Sequence, residues 1–285
     1  MQEAVWPEGL QETLLPEQSF AEAYAALQDV QRAYLKQCIC QIFAWYGSSQ
    51  ALKQRERLHW EQGFCSLGSK RPWPWAVLLL QPGMRAPAPL LAAVLPAMLA
   101  QVGEVIVLQS SEQASWPYPQ LCALELAGVE LAGAASAALQ EELLQGLEKL
   151  NGPGLILHLG HGSQGLVQEQ GLGGRSLRLG LSVPLKAGIW QEPGVQWDFQ
   201  ALRTAHPDLE LQSCAPGTNL EIAGAEQAET FFRQDWELLF APGHLQEQAV
   251  QQAGLVLGPG QESCWIWPAL QTSLFQSRCL ALSSC

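Results

Sequence analysis

Three short apolar runs limit what this chain can fold into: WAVLLLQ at 75–81, EVIVLQ at 104–109 and GLILHLG at 154–160. Each is strand-sized, and each alternates with a segment of helical pattern, at 90–102, 121–129 and 134–150. A strand that is apolar on both faces must be covered on both faces. Parallel sheets with crossover helices provide that cover. The pattern returns with NLEIAG at 219–224 as a strand, 225–239 as a helix, a turn at LLFAPGHL, and a last strand and loop at AGLVLGPG, 253–260. Between the two sets, QEQGLGGRSLRLGLSVP reads as a loop-rich hairpin or a mobile segment. The expected fold class is α/β, with mostly parallel sheets.

Ser19 and Glu22 have the spacing of a capping box. From there Phe20, Tyr24, Leu27, Val30, Tyr34, Cys38 and Ile42 recur at helical spacing until Gly47, which predicts one long amphipathic helix. The polar stretch ALKQRERLHWEQ after it also reads as helical, with Lys53, Arg55 and Arg57 on a solvated face. The tail TSLFQSRCLALSSC carries no charge after Arg278 and is expected to pack on the body or on a partner chain.

Charge and composition exclude several classes. With 15 Lys and Arg against 27 Asp and Glu, the net charge is −12. A nucleic-acid partner is not expected, because phosphate recognition needs clustered basic residues. Between Arg85 and Glu104 no residue is charged, but Pro87, Pro89 and Pro96 interrupt the run, so it reads as soluble strand, loop and helix, with no membrane span expected. The acidic N-terminus does not read as a signal peptide. The eight cysteines form no C-x-x-C and sit mostly in apolar surroundings. Buried reduced thiols and a cytoplasmic location are the expectation.

Two stretches carry a family resemblance. APLLAAVLPAMLAQVGEVIVLQ leads into LCALELAGVELAGAASAALQEEL, and FAPGHLQEQAVQQAGLVLGPGQES follows later. Their order and spacing resemble histidinol dehydrogenase, over roughly residues 60–275. The resemblance implies two Rossmann-like domains, one inserted into the other. The inserted domain would span 84–185, and the outer one 1–83 plus 186–285. It also implies a shortened chain, and a homodimer is expected.

The resemblance also implies a chemistry, which the residues only partly support. The family's A-P-E-H-L segment supplies a Glu-His acid/base pair. Here Ala241-Pro242-Gly243-His244-Leu245 keeps the His, but Gly243 stands in the Glu position. The family's second His position holds Trp265. Of four zinc ligands, His206 in LRTAHPD is the only remnant, with Arg203 or Thr204 near the Gln position. Zinc is therefore not expected to bind.

Other motifs point to cofactors or nucleophiles. Gly160, Gly162 and Gly165 form G-x-G-x-x-G directly after a strand, a spacing that lets backbone approach a dinucleotide pyrophosphate. Gly133 lies in a turn that the resemblance places near the NAD cofactor. A packing role for these glycines is the competing reading. His158 and His161 read as core and loop histidines, and not as a metal pair. Cys214, in Gln212-Ser213-Cys214, resembles the thiol nucleophile of aldehyde dehydrogenases, although the leading glycine is missing. The reading is thus a histidinol-dehydrogenase-like protein without histidinol oxidation, keeping a cleft for a small molecule or dinucleotide. One alternative is an NAD(P)-dependent oxidoreductase using Cys214 or His244. The other is a non-catalytic, dimeric interaction protein.

Overall fold

A computed structural model of the chain describes residues 6–7, 9–47, 54–110, 115–161, 176–214 and 224–284. The chain opens with the short α1 (Leu10–Thr13), then α2 (Glu17–Ala26) and α3 (Asp29–Tyr46). An antiparallel hairpin follows, β1 (Gln54–Trp60) and β2 (Phe64–Pro72). Next come β3 (Trp75–Leu80), α4 (Pro87–Leu99), β4 (Glu104–Gln109), α5 (Tyr118–Ala127), β5 (Ala132–Ala134), α6 (Ala137–Asn151), β6 (Leu155–Gly160) and β7 (Leu177–Ser182). The last part holds β8 (Lys186–Trp190), α7 (Phe199–Ala205), β9 (Glu210–Cys214), α8 (Gly224–Phe232), β10 (Leu238–Phe240), α9 (Gln246–Ala249), β11 (Leu255–Leu257) and β12 (Gln276–Ser284).

These strands form three sheets. A five-stranded parallel sheet runs β5-β4-β3-β6-β7, drawn from residues 75–182. A four-stranded parallel sheet runs β11-β10-β8-β9, drawn from 186–257. A three-stranded antiparallel sheet, β1-β2-β12, forms an arm. The α/β class with parallel sheets expected from the apolar runs is the fold observed. β3 is buried along its whole length. Its Ala76, Leu78 and Leu80 join a central core with α2 to α5 and α7, while Trp75, Val77 and Leu79 pack on the other face against Leu143, Leu144 and Leu147 of α6. The central core continues into Ala187, Ile189, Leu238 and Phe240, so both parallel sheets share it. A third cluster covers the outer face of the four-stranded sheet, with Phe231 and Phe232 of α8 against Trp190 and Leu239. Among the described residues, no helix is long and apolar enough to cross a membrane.

The structure corrects several local readings. The N-terminal helix is two helices. Leu27 takes an extended backbone (ψ 142°) and buries its side chain, and α3 restarts behind a capping box of Gln28 and Gln31. Ser19 lies inside α2, whose N-cap is Pro16. Gly47 caps α3 as expected, at φ 66°.

The stretch expected to be a second helix is instead β1. Gly63, at φ 86°, closes a tight turn in which Trp60 pairs with Phe64. Cross-strand pairing with β2 overrides the helical propensity of this segment. Arg55 and Arg57, two positions apart on β1, lie on one face of the strand. Residues 177–182, expected to lie in a hairpin or a loop, form the parallel edge strand β7. The helix expected over 225–239 ends at Phe232, and Leu238–Phe240 is a strand. The strand expected at 219–224 falls almost wholly outside the described residues. The tail is the outer strand of the arm, mostly exposed. Cys38, Cys122 and Cys264 are buried, but Cys40 and Cys279 are exposed and Cys65 is disulfide-bonded.

Candidate functional site

In open parallel sheets, ligands bind beyond the carboxyl ends of the strands. The favoured place is the point where successive connections diverge to opposite sides. Each parallel sheet here has one such point, and the two are built differently.

In the four-stranded sheet, the chain goes from β8 to β9 on one side, then crosses to β10 on the other. The crevice therefore lies between the ends of β8 and β10. Glu192 follows β8, and His244 follows β10 in a 3₁₀ turn. Their side chains meet there, with His244 Nε2 at 3.5 Å from Glu192 Oε1. The Trp190 indole N–H donates to Glu192 Oε2 at 3.3 Å, which fixes the carboxylate. The Trp197 indole N–H donates to the Trp190 carbonyl at 3.1 Å and ties the loop back to the strand. The Glu192 side chain is 18% exposed and that of His244 is 63% exposed, so the carboxylate is sheltered and the imidazole faces solvent. Nothing lies within 4 Å of a Cβ built on Gly243. The space beside Gly243 is open, and a carboxylate from another loop stands beside the imidazole.

Cys214 ends β9, the neighbour of β8 on the far side from β10. It pairs in register with Trp190, and its carbonyl accepts the Gln191 N–H at 2.8 Å. Cys214 and His244 thus share one sheet edge, but β8 stands between their strands. Adjacent strands are about 4.8 Å apart, so β9 and β10 sit roughly 10 Å from each other.

A cleft of about 480 Å³ opens at the same edge, lined by Tyr34, Trp197, Asp198, Gly260 and Glu262 among others. Its polar groups bind one another. The Tyr34 hydroxyl donates to Asp198 Oδ2 at 2.7 Å, and the Asp198 N–H donates to Glu262 Oε1 at 3.2 Å. Asp198 also caps α7 by accepting the Ala201 N–H at 2.9 Å. That amide and the Tyr34 hydroxyl hold the Asp198 carboxyl below its ordinary range, and the same carboxylate pushes the Tyr34 hydroxyl up.

In the five-stranded sheet, the connections diverge between β3 and β6. Here the chain fills its own crevice. A Cβ on Gly160 would lie 2.3 Å from Gln81 Oε1, so this glycine lets the Gln81 side chain pack across the strand end. Asp208, from the turn after α7, comes over the top. It accepts the Arg85 and Ala86 backbone N–H groups at 2.6 and 3.1 Å, and Arg85 Nε at 2.8 Å. His161 Nε2 lies 3.6 Å from the same carboxylate, and its Nδ1 is 3.1 Å from the Val183 carbonyl. Those amides immediately precede α4, whose N-cap is Ala86. Gly133 is likewise filled: a Cβ there would lie 2.1 Å from the Thr13 carbonyl oxygen, where the segment Leu14–Leu15 pairs with β5. Gly162 and Gly165 lie outside the described residues. As they stand, these groups do not form an open cradle for a pyrophosphate.

His206 faces no group of metal-ligating side chains among the described residues. It is buried at the end of α7, with Nε2 3.2 Å from the Cys264 carbonyl and its ring against Trp265, 5.6 Å between centroids. Burial pushes its imidazole down to about 4. The Thr204 hydroxyl donates to the Gln200 carbonyl at 2.8 Å. These residues do not fit a zinc centre of the resembled type. His158 is half-buried within β6, and burial lowers its imidazole. Sequence reasoning missed Glu192 and Asp208. The available signals were the apolar run KAGIW before Gln191-Glu192-Pro193-Gly194, and Pro207-Asp208 after a helix.

No family model matches the chain, and no curated protein matches it. Solved structures do. Histidinol dehydrogenase from Elizabethkingia anophelis aligns over 96% of this chain and 77% of its own, with a TM-score of 0.58 at 12% identity. This chain has a dehydrogenase-like fold. Succinate-semialdehyde dehydrogenase from Burkholderia pseudomallei aligns over 97% and 89%, with a TM-score of 0.43 at 8% identity. An indole-3-acetaldehyde dehydrogenase in apo form aligns over 97% and 86%, with a TM-score of 0.39 at 10% identity.

Proposed function

We propose that this dehydrogenase-fold protein does not oxidise histidinol. In this reading it binds a small polar ligand at the β8–β10 crevice, where His244 and Glu192 handle a proton. The observation that carries the reading is the contact between the sheltered Glu192 carboxylate and the exposed His244 imidazole. An imidazole can give or take a proton near neutral pH, and a fixed carboxylate orients the ring and stabilises its charged form. A hydroxyl or carbonyl group presented at Nδ1 would meet a proton donor or acceptor.

An NAD(P)-dependent oxidoreductase acting on an alcohol or aldehyde is the catalytic form of this reading. NAD supplies hydride chemistry when bound. The chain's own residues supply proton transfer at His244 and orientation by Glu192 and Trp190. A dinucleotide reaching the five-stranded edge would first have to displace Asp208 from α4. The thiol version, through Cys214, is less favoured, because β8 separates that residue from His244.

The test is a thermal-shift titration with NAD⁺, followed by an NADH assay over alcohols, aldehydes and histidinol. A ligand at one hundred times its Kd stabilises the native state by about 2.7 kcal/mol. A saturable shift, with turnover that falls in His244→Ala, supports the catalytic form. Histidinol oxidation by the purified chain would sink the proposal.

A further inference from the structure

We propose that the disulfide at Cys65 is exchange-active: a small anionic thiol opens it, and His59 delivers the proton with which Cys65 leaves. This activity is separate from the β8–β10 crevice. Cys65 of β2 stands directly opposite His59 of β1, and His59 Nδ1 lies 3.0 Å from Cys65 Sγ. Cys65 is disulfide-bonded, so its sulfur carries no hydrogen. The hydrogen in this contact therefore sits on Nδ1, which donates to the sulfur. A proton donor is already in place on the atom that becomes a thiol when the bond opens.

The surroundings suit exchange better than stapling. β1 is exposed along its whole length. β2 pairs with β1 on one side and with β12 on the other, in unbroken register through Cys65. The backbone ladder fixes these strands, so their register does not depend on the disulfide. Arg55, Arg57 and His59 fall on one face of β1 because alternate residues do, and Glu56 falls on the other. Cys65, directly opposite His59, shares the cationic face. Positive charge beside a sulfur favours its thiolate, and a disulfide sulfur that makes a stable thiolate leaves faster. The same charge draws a thiol that carries carboxylates, of which glutathione is the type. The step needs no oxidant. The incoming thiolate attacks the sulfur bonded to Cys65, and a new S–S bond forms there as the old one breaks. The electron pair of the broken bond passes to Cys65 Sγ. The His59 imidazolium gives Sγ its Nδ1 proton and is left as a neutral ring, which solvent reprotonates. One disulfide is exchanged for another, and one thiol is consumed as one is released.

The experiment uses the full chain in a Cys40→Ser/Cys279→Ser background, because those two thiols are exposed and would shuffle the product. The folded protein is mixed with excess reduced glutathione, quenched with acid at early times, alkylated and mapped by mass spectrometry. The expected product carries glutathione on a cysteine other than Cys65, with Cys65 alkylated as a free thiol. His59→Gln, at an exposed position, should keep the circular dichroism spectrum and slow adduct formation by about tenfold or more. Arg55→Glu/Arg57→Glu should slow the reaction of glutathione and spare that of cysteamine, a cationic thiol. A disulfide that stays intact under excess glutathione overturns the proposal. So does an adduct on Cys65 itself, or a His59→Gln variant that reacts at the parent rate. Equal slowing of both thiols in the arginine variant overturns the choice of an anionic thiol.

Discussion

Glu192 Oε1 lies 3.5 Å from His244 Nε2 across the gap between β8 and β10, although 52 positions separate the two residues in sequence. The pair joins a loop after the first strand of the sheet to a turn after the third. If it handles protons for a bound ligand, His244→Ala should lower turnover about 10²-fold or more, the usual contribution of a positioned acid/base group. Because the imidazole is mostly exposed, the thermal midpoint should move by less than about 2 °C. Glu192→Gln should keep ligand affinity and change the pH profile of turnover. Steady-state kinetics and thermal denaturation on the same preparations check both.

Stability should depend on pH through His206. Its folded-state value of about 4 lies below the ordinary 6.5. The unfolded chain therefore binds the extra proton first as pH falls. The stability contributed by the neutral, buried ring is full above about 6.5 and is lost as pH drops towards 4, by about 3 kcal/mol in all. His206→Gln removes that titration and keeps a polar group near the Cys264 carbonyl. Urea unfolding at pH 7 and pH 4.5 should show a shallower loss for the variant. An equal loss would mean that other groups carry the acid sensitivity.

Asp208 should be a structural clasp. Its carboxylate is 7% exposed in its side chain and satisfies two amides at the start of α4. Asp208→Ala leaves those amides without their partner and should cost about 2 kcal/mol, as lost capping or charge-assisted bonds do. Arg85 is 61% exposed, so Arg85→Ala should cost under about 1 kcal/mol. Equilibrium unfolding distinguishes the two. Comparable losses would show that the ion pair, and not the amide bonds, holds the turn.

Gly133→Ala tests whether that glycine serves packing. Its Cβ would lie 2.1 Å from a backbone oxygen of Thr13, and backbone cannot rotate away as a side chain can. A loss of about 1–3 kcal/mol is expected without any ligand present, as in overpacked cores. Limited proteolysis should cut the N-terminal segment faster in the variant. Unchanged stability together with a lost NAD⁺ response would point instead to a cofactor role.

The sequence by itself determined the elements that bury both faces or one clean stripe. The runs at 75–81, 104–109 and 154–160 read as strands covered on both faces, because each is strand-sized, nearly continuously apolar and alternates with a helical segment. Gly47 stopped its helix because a glycine readily adopts the left-handed backbone found there. The polar segments were decided by tertiary structure. QRERLHW is rich in helix-favouring residues, and pairing with β2 made it a strand. The strand β7, preceded by GLGG, took its place from register with β6. The site followed the same division. His244 and Cys214 were legible as chemically capable residues. Which carboxylate stands beside which ring depends on strand order, and strand order is set by how the helices pack over each sheet. Glu192, Asp208 and the filled face of Gly160 have no short-range signature. They meet their partners only when loops distant in sequence converge at the carboxyl ends of parallel strands.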